Sequence, residues 1–315
     1  MAKILINDGI HPSGKQRLIN AGHTVEDIKI VQEELINRLN DYDAICVRSA
    51  TKVREDLIKA CPNLKVIGRG GVGLDNIDVT YARANGVSVI NTPAASSRSV
   101  AELAMAHLLS VARFLYKSNR NMPTDGDSEF STLKKSFAKG FELEGKKLGI
   151  IGFGRIGQET AKCALGMGME VLPVDPVLSS TVLELKIAGQ TITVDQKIFS
   201  FEDMLQNSDA ISLHIPFTGN AVLGEREFAL MKKGAILINA SRGGTVDEKA
   251  MLASLDNGTL AAAGLDVFEN EPTPKKEIIS HPNISLTPHI GASTSEAQEK
   301  IGLELADQLI ELLNS

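Results

Sequence analysis

The feature that most constrains this chain is the recurrence of short, uninterrupted Val/Ile/Leu runs, each followed by a helix-like stretch. "KILIN", "YDAICV", "KVIGR" and "VSVIN" are such runs, and "HTVEDI" reads as a further short strand. "GKQRLINAG", "VQEELINRL" and "REDLIKAC" lie among them with helical spacing. Apolar runs without strict alternation suit strands covered on both faces, and hence a parallel sheet between helix layers. The pattern resumes after Gly145 in "KLGIIG", "EVLPVD", "AISLHI", "AILINA", "LAAAGLDV" and "ISLTP". Two such blocks within 315 residues predict an α/β protein of two doubly wound parallel-sheet domains.

Between the blocks lies "SSRSVAELAMAHLLSVARFLYKSN", Ser96 to Asn119. Ser96 or Ser97 can cap a helix that is apolar nearly all the way round. Such a helix wants burial on several sides, which a domain boundary or a subunit boundary would supply; a homodimer formed through the 96–119 region is the expectation. The following "MPTDGDSEFSTLKKSFAKGFELEG" is polar and non-periodic and reads as a connection. The last segment has capping residues and then Ala297, Ile301, Leu305 and Leu309 at a four-residue spacing, the mark of an amphipathic helix. Residues 177–199 fit no short loop, and no function attaches to them.

Composition narrows the function classes. The net charge is −6, with Lys and Arg spread along the chain, whereas nucleic-acid binding needs concentrated positive charge. No apolar run reaches the roughly 18–20 residues that span a bilayer. "MAKILINDG" enters a strand directly, without a secretory signal's apolar core. Cys46, Cys61 and Cys163 are scattered and unpaired in pattern, which suits a reducing compartment. A cytoplasmic protein without a metal site is the expectation.

The chemistry starts at "KKLGIIGFGRIGQETA". Gly152, Gly154 and Gly157 form G-x-G-x-x-G directly between a strand and a helix. The first glycine permits the tight turn, the second lets backbone approach a pyrophosphate, and the third allows close helix–strand packing. "MEVLPVDP" supplies a second strand ending in Asp175, 21 residues beyond Gly154. An acid there can accept hydrogen bonds from the adenosine ribose and would repel a 2′-phosphate, so the cofactor expected is NAD rather than NADP. The competing reading of Asp175 is a plain Asp-Pro turn.

Of six histidines, His11 and His23 read as surface residues, and His107 as a core or interface residue. His214, after the strand "ISLHI", reads as structural or as a cofactor wall, and His281 sits in a loop. His289, in "LTPHIGAST", falls at the carboxyl end of a strand, the edge where open α/β sheets bind ligands. Arg242 leaves the apolar run "AILINAS" beside two glycines, and Glu271 follows "LDVF", with Glu269 as a rival acid. A nicotinamide dehydrogenase needs a proton-transfer group, a cation for the carboxylate and an acid to orient the base. His289, Arg242 and Glu271 are candidates for these roles.

"LGIIGFGRIG", "INASRGGTVDEKAML", "AAGLDVFENEP" and "LTPHIGAST", in that order, resemble the D-isomer-specific 2-hydroxyacid dehydrogenase family. "VRSATKV", "VIGRGGVGLDNIDV" and "VINTPAASSRSVAELAMAHLL" look most like the branch of it that acts on 3-phospho-D-glycerate. The resemblance implies a Rossmann-type nucleotide domain, residues 99–291, inserted into a flavodoxin-like substrate domain of residues 1–98 and 292–315. The glycine turn would come late because the other domain comes first, and the active site would lie in the cleft between them. It implies His289 as acid–base, Glu271 as its hydrogen-bonded partner and Arg242 as the carboxylate clamp.

Cofactor contacts carried over by motif are Val72, Gly152, Gly154, Arg155, Ile156, Gly157, Asp175, His214, Ile215, Pro216, Ala240, Ser241, Arg242, Asp266, His289, Gly291 and Ala292. Asp266 matches the acid that family members place near the nicotinamide carboxamide. Arg48, Lys52, Arg69, Gly70, Gly71 and Val72 would join Arg242 and His289 in binding a substrate with a carboxylate and a phosphate. Lys134 and Lys135 are weaker candidates. With the sequence closing at Ser315, the C-terminal regulatory domains of longer relatives are expected to be missing. A hydroxypyruvate or glyoxylate reductase of the same family is the nearest alternative, and a non-catalytic NAD-sensing protein a more distant one.

Overall fold

The computed structural model describes residues 1–314. They divide into two compact units, one of residues 1–99 together with the stretch from Ala292 onward, the other Val100–Gly291.

The first unit holds β1 (Lys3–Ile6), β2 (Thr24–Asp27), β3 (Ala44–Val47), β4 (Val66–Arg69) and β5 (Ser88–Asn91). All pair in parallel, in the order β2-β1-β3-β4-β5. This is the flavodoxin-like order. The connections carry α1 (Pro12–Asn20), α2 (Gln32–Arg38), α3 (Glu55–Ala60) and α4 (Val79–Ala84). Leu35, Leu57 and Ile58 cover one face of the sheet over Leu5, Ile45 and Ile67. His11 opens α1 by accepting the Ser13 amide at 3.4 Å. His23 departs from its expected surface position. It is 5% exposed, and its Nδ1 accepts the Ala2 amide, because β1 and β2 close over it.

The chain then runs along α5 (Ser97–Ala112) into the second unit. The helix expected as far as Asn119 breaks at Phe114, whose φ of 54° is left-handed. It restarts as α6 (Leu115–Asp125), and α7 (Phe130–Ser136) follows where a structureless connection was expected. The described residues of α7 include no buried side chain, so it lacks the apolar stripe that sequence periodicity detects.

The main sheet of this unit comprises β6 (Lys147–Ile151), β7 (Glu170–Val174), β10 (Ala210–Leu213), β11 (Ala235–Asn239), β12 (Leu260–Leu265) and β13 (Ile284–Leu286). Their order is β13-β12-β11-β10-β6-β7, all parallel. The helices are α8 (Arg155–Gly166), α9 (Phe201–Asn207), α10 (Glu225–Leu230), α11 (Glu248–Asp256) and α12 (Lys276–Ile279). The order reverses at β6, and ligands of open α/β sheets bind at the carboxyl ends beside such a reversal. Residues 177–199 are largely an antiparallel hairpin, β8 (Ser180–Ile187) and β9 (Gln190–Lys197). Its turn places Ala188 at φ 50° and Gly189 at φ 79°, the twist that closes a two-residue hairpin loop. Leu183 and Leu185 face the core, and the Gln196 amide ties the hairpin to Val171 of β7.

The last helix, α13 (Ser295–Asn314), belongs to the first unit. Thr294 caps it by accepting the Ala297 amide at 3.2 Å. Leu305 and Leu309 join Leu18 of α1 in covering the sheet face of Ile4, Ile6, Cys46 and Val66. Among the described residues no helix is long and apolar enough to cross a membrane.

The contact of α1 with α13 leaves no room for a methyl group. A Cβ on Gly14 would stand 2.3 Å from the Gly302 carbonyl oxygen. Gly14→Ala is expected to lower stability by about 1–3 kcal/mol, as overpacking does. Calorimetric melting checks this, and an unchanged midpoint would mean that the helices separate freely.

Candidate active site

The three glycines of the turn after β6 do three different things. Gly152 has φ 89°, and a Cβ on it would lie 2.6 Å from the His214 carbonyl oxygen. A Cβ on Gly157 would meet the Gly152 carbonyl at 2.1 Å, so this glycine sets how closely α8 packs on the sheet. At Gly154 a Cβ would meet nothing within 4 Å, which leaves open space in front of the helix. No side chain caps α8 there, so its first-turn amides, from Arg155 onward, are available to an anion.

Asp175 follows β7 directly, beside this turn. Its Oδ2 accepts the Phe153 amide at 2.9 Å, and its Oδ1 accepts Val177 at 2.9 Å and Leu178 at 3.2 Å. Burial pushes its pKa up, but the three amides outweigh that and hold it below the usual carboxylate range. The Asp-Pro turn reading is therefore visible too, since one oxygen caps the turn. A carboxylate can accept about four hydrogen bonds, so capacity remains for a ribose hydroxyl. The open cradle at Gly154 and this acid fit a dinucleotide, with the pyrophosphate on α8 and the ribose on Asp175.

Arg242 follows β11 in a turn built by Asn239. The Asn239 Oδ1 accepts the Ser241 amide and hydroxyl, and its Nδ2 donates to the Arg242 carbonyl and to Thr245. A Cβ on Gly243 would come within 1.8 Å of the Phe268 carbonyl oxygen, so the Arg242 turn presses directly on the segment after β12. Glu248 and Glu269 lock the two together. The Glu248 amide donates to Glu269 at 3.2 Å, the Glu269 amide to Glu248 at 2.9 Å, and Lys275 pairs with both carboxylates. Glu269, the rival acid, is thus committed to holding this segment.

Glu271 is the acid that reaches the imidazole. Its Oε1 accepts the Phe268 amide at 2.9 Å, and its Oε2 lies 2.7 Å from His289 Nδ1. Burial pushes Glu271 up; the hydrogen bond and charge of His289, the Phe268 amide and the Arg242 charge together hold it below its ordinary 4.5. A carboxylate partner fixes the proton on Nδ1, so Nε2 is left to exchange a proton with a ligand. His289 itself is 46% exposed and has φ 56°. A left-handed non-glycine residue costs about 1–3 kcal/mol and persists where its surroundings over-determine it. Asp266 supplies that constraint. It is fully buried, and it accepts the Thr287 hydroxyl at 2.6 Å and the amides of Ile290 and Gly291 at 2.8 and 2.9 Å. The sequence reading set Asp266 among cofactor contacts; here its buried carboxylate lies beneath the His289 loop and accepts three donors from it and from Thr287.

His214 donates or accepts at Ser212 through Nε2, 2.9 Å away, while its Nδ1 is shielded from solvent without a hydrogen-bond partner. Burial pushes its pKa down to about 3, so it is a neutral wall at physiological pH. Ile215 stands next to it, with its Cγ2 at 2.6 Å from a Cβ built on Gly152. Pro216 is exposed, and Ala240 and Ser241 are buried at the end of β11.

In the first unit, Arg48 follows β3 and Arg69 ends β4, and pairing of Val47 with Arg69 sets both on the carboxyl edge. The Arg48 guanidinium donates to Gln298 of α13, and burial pushes its pKa down. Asp8 fixes the loop by accepting the Arg48 and Thr51 amides at 2.7 and 3.1 Å. Gly71, at φ 134°, leaves room for the Arg69 guanidinium, which would lie 1.8 Å from a Cβ there. The amides of Gly70 and Gly71, expected to meet the substrate, are instead bonded inward to the Val47 carbonyl and the Thr92 hydroxyl. The reason is that this loop closes the β4–β5 edge. Val72 gives its carbonyl to Asn91, Ala292 gives its own to Gln298, and Lys52 is exposed, as are Lys134 and Lys135 in the other unit.

A glycine cradle with an acid at the second strand suits a dinucleotide, and an imidazole held by a carboxylate can exchange a proton with a ligand. An α/β chain with both is suited to nicotinamide-dependent oxidation and reduction. Residues 105–291 match the family model described as D-isomer specific 2-hydroxyacid dehydrogenase, NAD binding domain. The chain is 40% identical over 321 residues to a hydroxypyruvate reductase of Thermotoga maritima, covering 99% of this chain and 98% of that protein. It is 41% identical over 315 residues to a D-3-phosphoglycerate dehydrogenase of Methanocaldococcus jannaschii, covering 99% of this chain but 58% of that longer protein. A solved structure of a protein from Thermus thermophilus superposes with a TM-score of 0.86 at 29% identity, covering 99% of this chain and 97% of that one. The chain belongs to the D-isomer specific 2-hydroxyacid dehydrogenase family and is an NAD-dependent oxidoreductase of 2-hydroxy acids.

Asn239, Thr245, Glu248 and Thr287 build this site, yet sequence reading did not single them out. Only Asn239 left a signal, as a lone polar residue closing an apolar run.

Two outcomes are expected. Asp175→Ala should lower the kcat/KM preference for NAD over NADP by about tenfold or more, the worth of hydrogen bonds to a charged group; steady-state kinetics with both nucleotides checks it. Because the folded pKa of Glu271 is depressed, its stabilisation is present above 4.5 and fades as pH falls through the lowered value. The difference in melting midpoint between wild type and Glu271→Gln should therefore be largest above pH 4.5 and shrink in acid.

Proposed function

We propose that this protein oxidises 3-phospho-D-glycerate to 3-phosphohydroxypyruvate, the entry step of serine synthesis. The observation that carries the chemistry is the 2.7 Å contact of His289 Nδ1 with Glu271, with the charge of Arg242 beside it. His289 Nε2 takes the proton of the substrate hydroxyl, and Glu271 stabilises the imidazolium that forms. Arg242 grips the substrate carboxylate in a two-pronged contact that lysine could not reproduce. Bound NAD supplies the hydride acceptor. Arg48, Lys52 and Arg69 are the proposed phosphate-binding cations, and their density supports a phosphorylated substrate. Likeness to the named D-3-phosphoglycerate dehydrogenases agrees with this reading.

A homodimer through the 96–119 region belongs to the same proposal. Leu109 of α5 and Leu115 of α6 are exposed within this region, and Met122 and Phe130 are exposed just beyond it.

Likeness to the Thermotoga protein supports a second reading, a hydroxypyruvate reductase whose substrate carries no phosphate. A substrate panel read by NADH absorbance separates them. kcat/KM should be far higher for 3-phospho-D-glycerate than for D-glycerate, and comparable values would remove the phosphorylated substrate. His289→Ala should lower kcat by about 10²–10⁴. Near-normal turnover in that variant would end the acid–base assignment, and no turnover by wild type despite NAD binding would favour a sensor.

A further inference from the structure

The network beneath the His289 loop reaches further than the site needs. α5 lies so close to β12 that any side chain at Gly264 would meet the His107 Cβ at 2.6 Å. That approach sets the His107 ring between a hydroxyl of β13 and one just after it, with Nδ1 3.0 Å from Ser285 Oγ and Nε2 2.9 Å from Thr287 Oγ1. Proton counting gives each bond a direction. Thr287 donates its one hydroxyl proton to Asp266 Oδ1, so its oxygen accepts from His107 Nε2–H. Nδ1 of a neutral ring then accepts from the Ser285 hydroxyl. Burial of His107 pushes its pKa down, more than Asp266 raises it, and the neutral ring fits this chain of bonds.

We infer that His107 and Thr287 are positioning residues for His289. They act through Asp266, whose carboxylate clasps the Ile290 and Gly291 amides and so fixes the left-handed backbone that aims the imidazole at Glu271. Thr287 shares Asp266 Oδ1 with the Ile290 amide. Without the hydroxyl, that oxygen loses a donor and the loop gains freedom to turn. The inference rests on the acid–base reading of His289, since only then does the ring's aim set the rate.

The test compares Thr287→Val, which keeps the shape and removes the hydroxyl, with Thr287→Ser, which restores it. Thr287→Val should lower kcat by about 10- to 100-fold, the cost of misaligning a reacting group. Deuterium uptake by the 287–292 segment should rise, and Thr287→Ser should reverse both changes. Wild-type turnover and uptake in Thr287→Val would overturn the inference. So would equal damage from Ser and Val, which would make the methyl group and not the hydroxyl the cause. If Thr287→Val fails to fold, His107→Leu should raise the same uptake and His107→Gln, which keeps a donor and an acceptor, should restore it. His289→Ala is measured alongside. Full turnover there would fell the acid–base reading, while the uptake comparison still decides whether the hydroxyl holds the loop.

Discussion

Parallel strand pairing is the constraint from which the rest follows. Each strand must be re-entered from the same end, so every connection climbs over a sheet face and every strand exit lies on one edge. In the second unit this places the ends of β6, β7, β11, β12 and β13 together on the carboxyl edge. The glycine cradle, Asp175, Arg242, Glu271 and the His289 loop each leave from one of these exits. No local motif brings them together; the hydrogen-bond ladder does.

The sequence made legible what is local and left obscure what depends on partners. The glycine turn could be read because its three requirements fall within six residues: close contacts demand glycine at 152 and 157, and open space lies in front of Gly154. Glu269 and Glu271 could not be ranked from their spacing. What separates them is Glu248, some twenty positions away, which claims one and leaves the other for His289. His23 looked like a surface residue amid polar neighbours, but the close of β1 and β2 buries it. The part of α6 beyond Asn119 and the whole of α7 escaped notice because they bury no side chain. The hairpin of residues 180–197 alternates only along its inner half, where Leu183 and Leu185 meet the core and Val182 stays exposed.

The site also shows how a costly backbone is kept. A left-handed histidine is unfavourable by itself, and the compensation lies in a carboxylate that has no exposed surface and three donors to satisfy. The Arg242 turn is held by the same means, through the Asn239 amide and the paired acids Glu248 and Glu269. Polar side chains that never touch a ligand therefore account for much of the geometry at this edge.

The return of α13 to the first unit has a consequence for synthesis on the ribosome. Ile4, Ile6 and Leu18 emerge early, yet the Leu305 and Leu309 that cover them arrive only after the whole of the second unit has been made. Until then the part of that sheet face not covered by α1 stays wet. The nascent chain must carry an open apolar surface through most of its translation, and the first unit closes last although it is begun first.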